Sequence, residues 1–99
     1  MLHVVNKSHM QTSALKSCLR LAQDGQALLL TEDAVYAATA QGAASAGLES
    51  ALARLKVYAL APDLQARGMD GKLAPGVTAL DYASFVDLVC EHSVNQSWL

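Results

Sequence analysis

Cys18 is the residue of this sequence whose side chain could carry covalent chemistry by itself, because a thiolate can act as a nucleophile or hold a persulfide sulfur. The charges of Lys16 and Arg20 would favour the thiolate if the sulfur reaches solvent. The spacing of Leu15, Cys18 and Leu19 instead predicts the apolar stripe of a helix, and free cysteine is among the most buried residue types. Two interpretations of Cys18 therefore stay open, a sulfur carrier and an inert thiol of the core.

The second cysteine and the three histidines do not extend this candidate site. Cys18 and Cys90 stand far apart, without the short Cys/His spacing of a zinc site. His3 falls inside an apolar run, and His9 and His92 show no spacing that suggests shared ligation. We therefore expect two free thiols, ordinary core or surface histidines, no bound metal and no cofactor.

Polar residues also follow the predicted strands, at the edge where parallel α/β sheets bind their ligands. They are Asn6-Lys7-Ser8, Glu32-Asp33, Asp63 and Asp81. None of these segments has the glycines of a phosphate-binding loop, so nucleotide binding is not expected. The acidic residues are explained more simply as groups that stabilise helix N-termini. The sequence thus lacks a self-sufficient active site.

Four short apolar runs predict the strands that would position these residues. They are Leu2 to Val5, Ala27 to Thr31, Lys56 to Leu60 and Val77 to Leu80. The runs are continuous rather than alternating, which is typical of parallel strands covered on both faces. The sequence therefore predicts one α/β domain over residues 1–99, a three-layer α/β/α sandwich with a mainly parallel sheet of four to five strands.

The segments between the strands carry helical patterns and one glycine-containing gap. Helices are predicted from Leu15 to Ala22, over a short turn from Asp33 to Ala38, from Leu48 to Leu55, over 62–67, and after Asp81, where Tyr82, Phe85, Val86 and Val89 form the apolar face. Residues 39–47 are small and contain glycine, which predicts a loop.

Charge and hydropathy exclude several classes of protein. The net charge is −2 and the basic residues are scattered, so direct nucleic-acid binding is not expected. The apolar runs are far shorter than the roughly 18 residues of a membrane span, and the first ten residues do not resemble a signal peptide, so we expect a cytoplasmic protein. Hydrophobic residues make up 53% of this small chain, which favours a partner interface.

A series of short segments, taken in order, resembles one family. The segments are Met1-Leu2-His3, Asn6-Lys7-Ser8, Glu32-Asp33, Val35-Tyr36-Ala37-Ala38, Lys56-Val57-Tyr58-Ala59-Leu60, Asp63-Leu64, Ala66-Arg67-Gly68, Asp81-Tyr82, Phe85-Val86-Asp87-Leu88 and Trp98. This ordered set is similar to the TusB/DsrH family of sulfur-relay subunits and spans essentially the whole chain. The resemblance implies a DsrEFH-like α/β fold and an assembly of three homologous subunits, each present twice.

The resemblance also implies where sulfur chemistry takes place in such an assembly. One sister subunit carries the persulfide-forming cysteine just after its third strand, where this chain has Leu60-Ala61-Pro62-Asp63. The chain is therefore expected not to be the main catalyst. Its implied partners are DsrE/DsrF-like or TusD/TusC-like sisters and, directly or through them, a DsrC/TusE-like sulfur acceptor protein.

Three functions are compatible with this resemblance. Cys18 looks like a cysteine characteristic of the DsrH branch, which favours a heteromeric sulfurtransferase complex of sulfur oxidation. The alternatives are a TusB-type subunit of the relay for tRNA wobble uridine 2-thiolation and a purely structural scaffold subunit. Trp98-Leu99 is a candidate partner contact, although packing on its own domain explains it equally well.

Overall fold

The computed structural model describes residues 1–98, in which five parallel strands form one sheet. The strands are β1 (Leu2–Val5), β2 (Ala27–Leu30), β3 (Lys56–Leu60), β4 (Val77–Leu80) and β5 (Asn95–Trp98), and the sheet order is β4-β3-β2-β1-β5. The helices are α1 (Ala14–Leu21), α2 (Ala40–Ala46), α3 (Ala61–Ala66) and α4 (Tyr82–Glu91), with 3₁₀ helices at Glu32–Ala38 and Ala51–Ala53. The predicted α/β fold is confirmed.

The two faces of the sheet are covered unequally. Strands β1 to β4 follow one another across the sheet, and the core that includes Leu15, Val35 and Leu64 places their connections on one face. The chain must then return from β4 to β5 at the opposite edge, so α4 crosses the second face alone. The buried residues on that face are Leu2, Ala27, Leu29 and Leu88. In the described part of the chain the three layers are therefore one thick helical layer, the sheet, and the helix α4.

The segment from residue 39 to residue 55 differs from the sequence prediction. Residues 40–46 form α2 rather than a loop, because alanine favours helix and Thr39 caps its start by accepting a hydrogen bond from the Gly42 N–H at 3.0 Å. The predicted helix from Leu48 to Leu55 is reduced to turns and the 3₁₀ helix at Ala51–Ala53. Leu48 and Leu55 are nevertheless buried, so the apolar spacing is informative about burial and wrong about helix type.

Strand β5 has no counterpart among the predicted strands. It is polar and mostly exposed at the edge of the sheet, and it is defined by parallel pairing with β1, in which Leu2 lies opposite Asn95 and Val5 opposite Trp98. An edge strand that buries little needs no apolar run, so the sequence carries little signal for it.

Trp98 packs on its own domain. Its Nε1–H donates to His3 Nδ1 at 3.1 Å, and the ring contacts the larger core. Since Nδ1 accepts that bond, the proton of the neutral His3 ring is on Nε2, which donates to Gln26 Oε1 at 2.7 Å. His3 is thus a satisfied core histidine, as expected, whereas Leu99 lies outside the described residues.

No helix within residues 1–98 combines the length and the apolar character that a bilayer span requires.

Candidate functional site

The carboxyl ends of β2 and β3 are joined by a polar network. Asp63 Oδ2, in the first turn of α3, accepts the Glu32 backbone N–H at 2.7 Å. Arg67, just after α3, donates from Nε to Asp33 Oδ1 at 2.9 Å and from Nη1 to the Asp63 carbonyl at 3.2 Å. Asp63 was expected to cap its own helix. Its carboxylate instead binds the segment that follows β2, the neighbouring strand. The network fixes the 3₁₀ helix at Glu32–Ala38 against α3.

Glu32 has an unusual backbone at this edge. Its φ is +49°, a left-handed backbone conformation that costs residues other than glycine about 1 kcal/mol. The hydrogen bond from its N–H to Asp63 helps to hold this conformation. The predicted strand-end residues Glu32-Asp33 and Asp63 are therefore brought together, but as carboxylates bound to donors of the chain itself. No thiol is among them.

Cys18 lies on the inner face of α1 and has no exposed surface. Burial among apolar side chains raises the pKa of its thiol to about 11, and the opposing attraction of Arg54 is the smaller effect. At neutral pH roughly one such thiol in ten thousand is ionised. In this conformation Cys18 is a protonated thiol that a sulfur donor cannot reach.

We expect this burial to make the stability of the protein depend on alkaline pH. Below the unfolded-state pKa near 9 the thiol is neutral in both states, so it adds no pH dependence. Between about 9 and 11 only the unfolded chain loses the proton, and the free energy of unfolding should fall by about 2 to 3 kcal/mol more in the wild type than in Cys18→Ala. Urea unfolding at a series of pH values measures the difference. Parallel pH curves for the two proteins would contradict the buried thiol.

Arg54 closes the end of the helix that carries Cys18. It donates from Nη1 to the Ala22 carbonyl at 2.7 Å and from Nη2 to the Leu19 carbonyl, and it forms an ion pair with Asp24 at 3.4 Å. The Leu19 carbonyl lies in the last turn of α1 and Ala22 is its C-cap residue, a position where a cation also interacts favourably with the helix dipole. No local pattern in the sequence indicates this role, because Arg54 lies more than 30 residues from each acceptor.

His9 lies beside a cavity that the sequence did not predict. The cavity, of about 430 Å³, is lined by Lys16 and Leu19 of α1 and by Ser45 of α2, among others. His9 Nε2 lies 2.9 Å from Ser45 Oγ, which itself donates to the Gly42 carbonyl at 3.2 Å, so His9 is the donor in the pair. Partial burial lowers the pKa of His9, which favours the neutral ring. A hydroxyl bound in this way to a neutral imidazole donor is not activated as a nucleophile.

The remaining candidates do not come together with these groups. Cys90 is exposed on α4, and both cysteines are free thiols, as expected. Within the described part of the chain, no three His, Cys, Asp or Glu side chains are grouped so that they could hold a metal ion. Asp81 caps α4 as predicted, since its carboxylate accepts the Ser84 N–H at 2.8 Å, and this bond lowers its pKa.

Comparison with known proteins gives the family. The family model described as DsrH like protein matches residues 7–95. The chain belongs to this family. Within it, the chain is 38% identical over 98 residues to Protein TusB of Escherichia coli O81 (strain ED1a) and, with the same identity, to Protein TusB of strain 536, and each match covers 99% of this chain and 100% of the relative. The resemblance to the TusB/DsrH family is thus confirmed, and with it a subunit of a sulfur relay.

A solved structure shows the same fold. The protein of unknown function MTH1491 from Methanobacterium thermoautotrophicum superposes with a TM-score of 0.73 over 97% of this chain and 95% of its own. The two sequences are 18% identical, so this similarity concerns the fold alone.

Proposed function

We propose that this member of the DsrH-like family is a TusB-type, non-catalytic subunit of the relay that supplies sulfur for 2-thiolation of the tRNA wobble uridine. The observation that carries the proposal is the full-length similarity to TusB proteins, which favours the thiolation branch over sulfur oxidation. In this role the chain works in the cytoplasm beside TusC-like and TusD-like sisters, and a TusE-like protein accepts the sulfur from the complex.

The chemistry of the strand ends supports a non-catalytic role. A persulfide relay needs a thiol that can be ionised and reached by its donor. At the end of β3 this chain instead carries Asp63, whose carboxylate is already bound to the Glu32 N–H. The added negative charge would disfavour a thiolate or persulfide anion at this edge. Cys18 is enclosed in the core with a raised pKa, so sulfur transfer is assigned to a sister subunit.

A sulfur-oxidation complex of the DsrEFH type is the second candidate function. The cysteine at position 18 favours it, since it looks like the cysteine of the DsrH branch. In that role Cys18 would have to become exposed when the subunits assemble, because α1 buries it in the isolated chain.

Deletion of the gene in its host should abolish wobble-uridine 2-thiolation, measured as 2-thiouridine in digested tRNA by mass spectrometry. Wild type, Cys18→Ala and the exposed-thiol control Cys90→Ala should each restore it within about twofold, because neither thiol carries sulfur in the proposed relay. Unchanged 2-thiouridine together with impaired oxidation of stored sulfur would overturn the proposal and favour the second candidate. Failure of Cys18→Ala alone, with its folding intact, would make Cys18 a sulfur carrier.

A further inference from the structure

Of the six exposed large apolar side chains within residues 1–98, two lie on α4, one follows it and one lies at residue 1, whereas Met10 and Leu21 lie elsewhere. Tyr82 is 58% exposed, Val86 54%, Val94 50% and Met1 43%, and the Cys90 side chain is exposed as well. These five residues are named the α4 ridge. Tyr82, Val86 and Cys90 stand four residues apart on α4, which places them in one row, and Val94 follows the end of the helix. The Leu2 N–H donates to the Val94 carbonyl at 3.0 Å, so Met1, the residue before Leu2, lies close to Val94.

The ridge arises because α4 is apolar around more of its circumference than the sheet can cover. Leu88 is buried against the second face, and Phe85 and Val89 are partly buried there. Tyr82 and Val86 lie further round the helix, and within residues 1–98 no second helix packs beside α4 on this face. A helix with solvent beyond its buried stripe normally carries polar residues at such positions.

The area of the ridge matches the apolar part of a protein interface. The five residues expose on the order of 400 Å², within the range of the largest apolar patches on monomers, which are often functional. A standard interface buries about 800 Å² of each partner, a little over half of it apolar. The ridge with its polar margin is therefore large enough for the centre of such an interface.

The charge beside the ridge selects the partner. Asp87 and Glu91 stand four residues apart and form the row of α4 that flanks the ridge, and α4 has no Lys or Arg. The same two acidic residues line a groove of about 250 Å³ between α4 and the sheet. A two-fold contact between copies with antiparallel α4 helices would bring these acidic flanks together, and like charges oppose that contact.

We propose that the α4 ridge docks a different subunit, one that presents an apolar strip flanked by Lys or Arg. This inference rests on the proposed hetero-oligomer. It places the contact with the other subunit on the second face of the sheet. Val86 lies at the centre of the contact and Asp87 and Glu91 lie at its rim. The opposite, thick helical layer holds the larger core.

The test measures binding of this chain to its co-purified TusC-like and TusD-like sisters by biolayer interferometry. Val86→Arg places a charge at the centre of the ridge and should raise Kd at least about tenfold. Leu21→Arg is the matched control, because Leu21 is an equally exposed helix residue, at 59%, on the other face of the sheet, and it should change Kd less than about twofold. Circular dichroism melts check that both variants fold.

A second variant tests the charge. We expect salt to weaken binding of the wild type; Asp87→Lys combined with Glu91→Lys should raise Kd about tenfold, mainly by slowing association, and should remove that salt effect. Both side chains are exposed, so the fold should tolerate the change.

The outcomes separate the inference from the proposed function. If the wild type binds the sisters and Val86→Arg binds them equally well, the ridge is not the contact surface, and the proposed function is unaffected. Wild type that ignores the sisters at micromolar concentration overturns both. A wild-type homodimer in sedimentation that Val86→Arg abolishes would identify a second copy as the occupant, against the inference.

Discussion

Replacing Gly42 with alanine should lower the free energy of unfolding by about 3 kcal/mol or more. Gly42 lies in the first turn of α2, and a Cβ at this position would collide with the carbonyl of Tyr36 and crowd Thr39 Oγ1. These atoms cannot step aside cheaply, because the same Thr39 Oγ1 donates to the Tyr36 carbonyl at 2.9 Å and accepts the Gly42 N–H at 3.0 Å. The methyl group must therefore push α2 away from the 3₁₀ helix at Glu32–Ala38.

Gly47→Ala is the matched control for this prediction. Gly47 ends the same helix, and a Cβ added there would have nothing within 4 Å, while its φ of +72° is the reason that glycine is favoured. The strain of a left-handed alanine should cost only about 1 kcal/mol. Urea unfolding followed by circular dichroism compares the two variants. Equal losses of stability would show that the close approach of α2 to Tyr36 is not the cause.

Replacing Arg54 with methionine should cost about 2 to 4 kcal/mol of unfolding free energy. Methionine keeps much of the apolar stem but removes the bonds to the Leu19 and Ala22 carbonyls and the ion pair with Asp24. The C-terminal end of α1 then loses the donor to these two carbonyls and the cation near the negative end of the helix dipole. Because α1 buries Cys18, the variant should also react faster with a thiol reagent at that residue in the native protein.

Two variants separate the helix-end bonds of Arg54 from its charge. Asp24→Asn removes only the ion pair with an 83% exposed carboxylate and should cost less than about 0.5 kcal/mol. Arg54→Lys keeps the charge but cannot reach both carbonyls with one planar group, so its loss should fall between those of the other two variants. The prediction is wrong if Asp24→Asn is as destabilising as Arg54→Met.

Elements that are buried on both faces could be predicted from the sequence. The four residues of β2 are all buried, and this continuous apolar run predicts a central parallel strand without any further information. The cap of α4 was predictable for a similar reason, since Asp81 and the Ser84 N–H it binds lie within one turn. The ordered residues resembling the TusB/DsrH family likewise indicated the family, which the comparisons confirm.

Elements at the margins of the fold were less predictable. Strand β5 is polar and becomes a strand because β1 offers an unpaired edge beside it. Residues 40–46 contain glycine and look like a loop, yet Thr39 and the alanines start a helix that packs on the preceding turn. In both cases contacts with another part of the fold stabilise the element, and the local sequence pattern does not show those contacts.

The sequence by itself determined the parallel α/β architecture, the family and the absence of a thiol after the third strand, because each of these depends on residue type or on spacing along a few turns of chain. Only the tertiary structure decided what the polar side chains do. Asp63 holds the Glu32 N–H from 31 residues away, and Arg54 holds the end of α1 from 32 and 35 residues away. These partners meet because neighbouring strands of the sheet bring segments distant in the chain close together, and no local sequence pattern indicates them. The same packing encloses Cys18 and leaves α4 with an apolar row that its own domain does not cover.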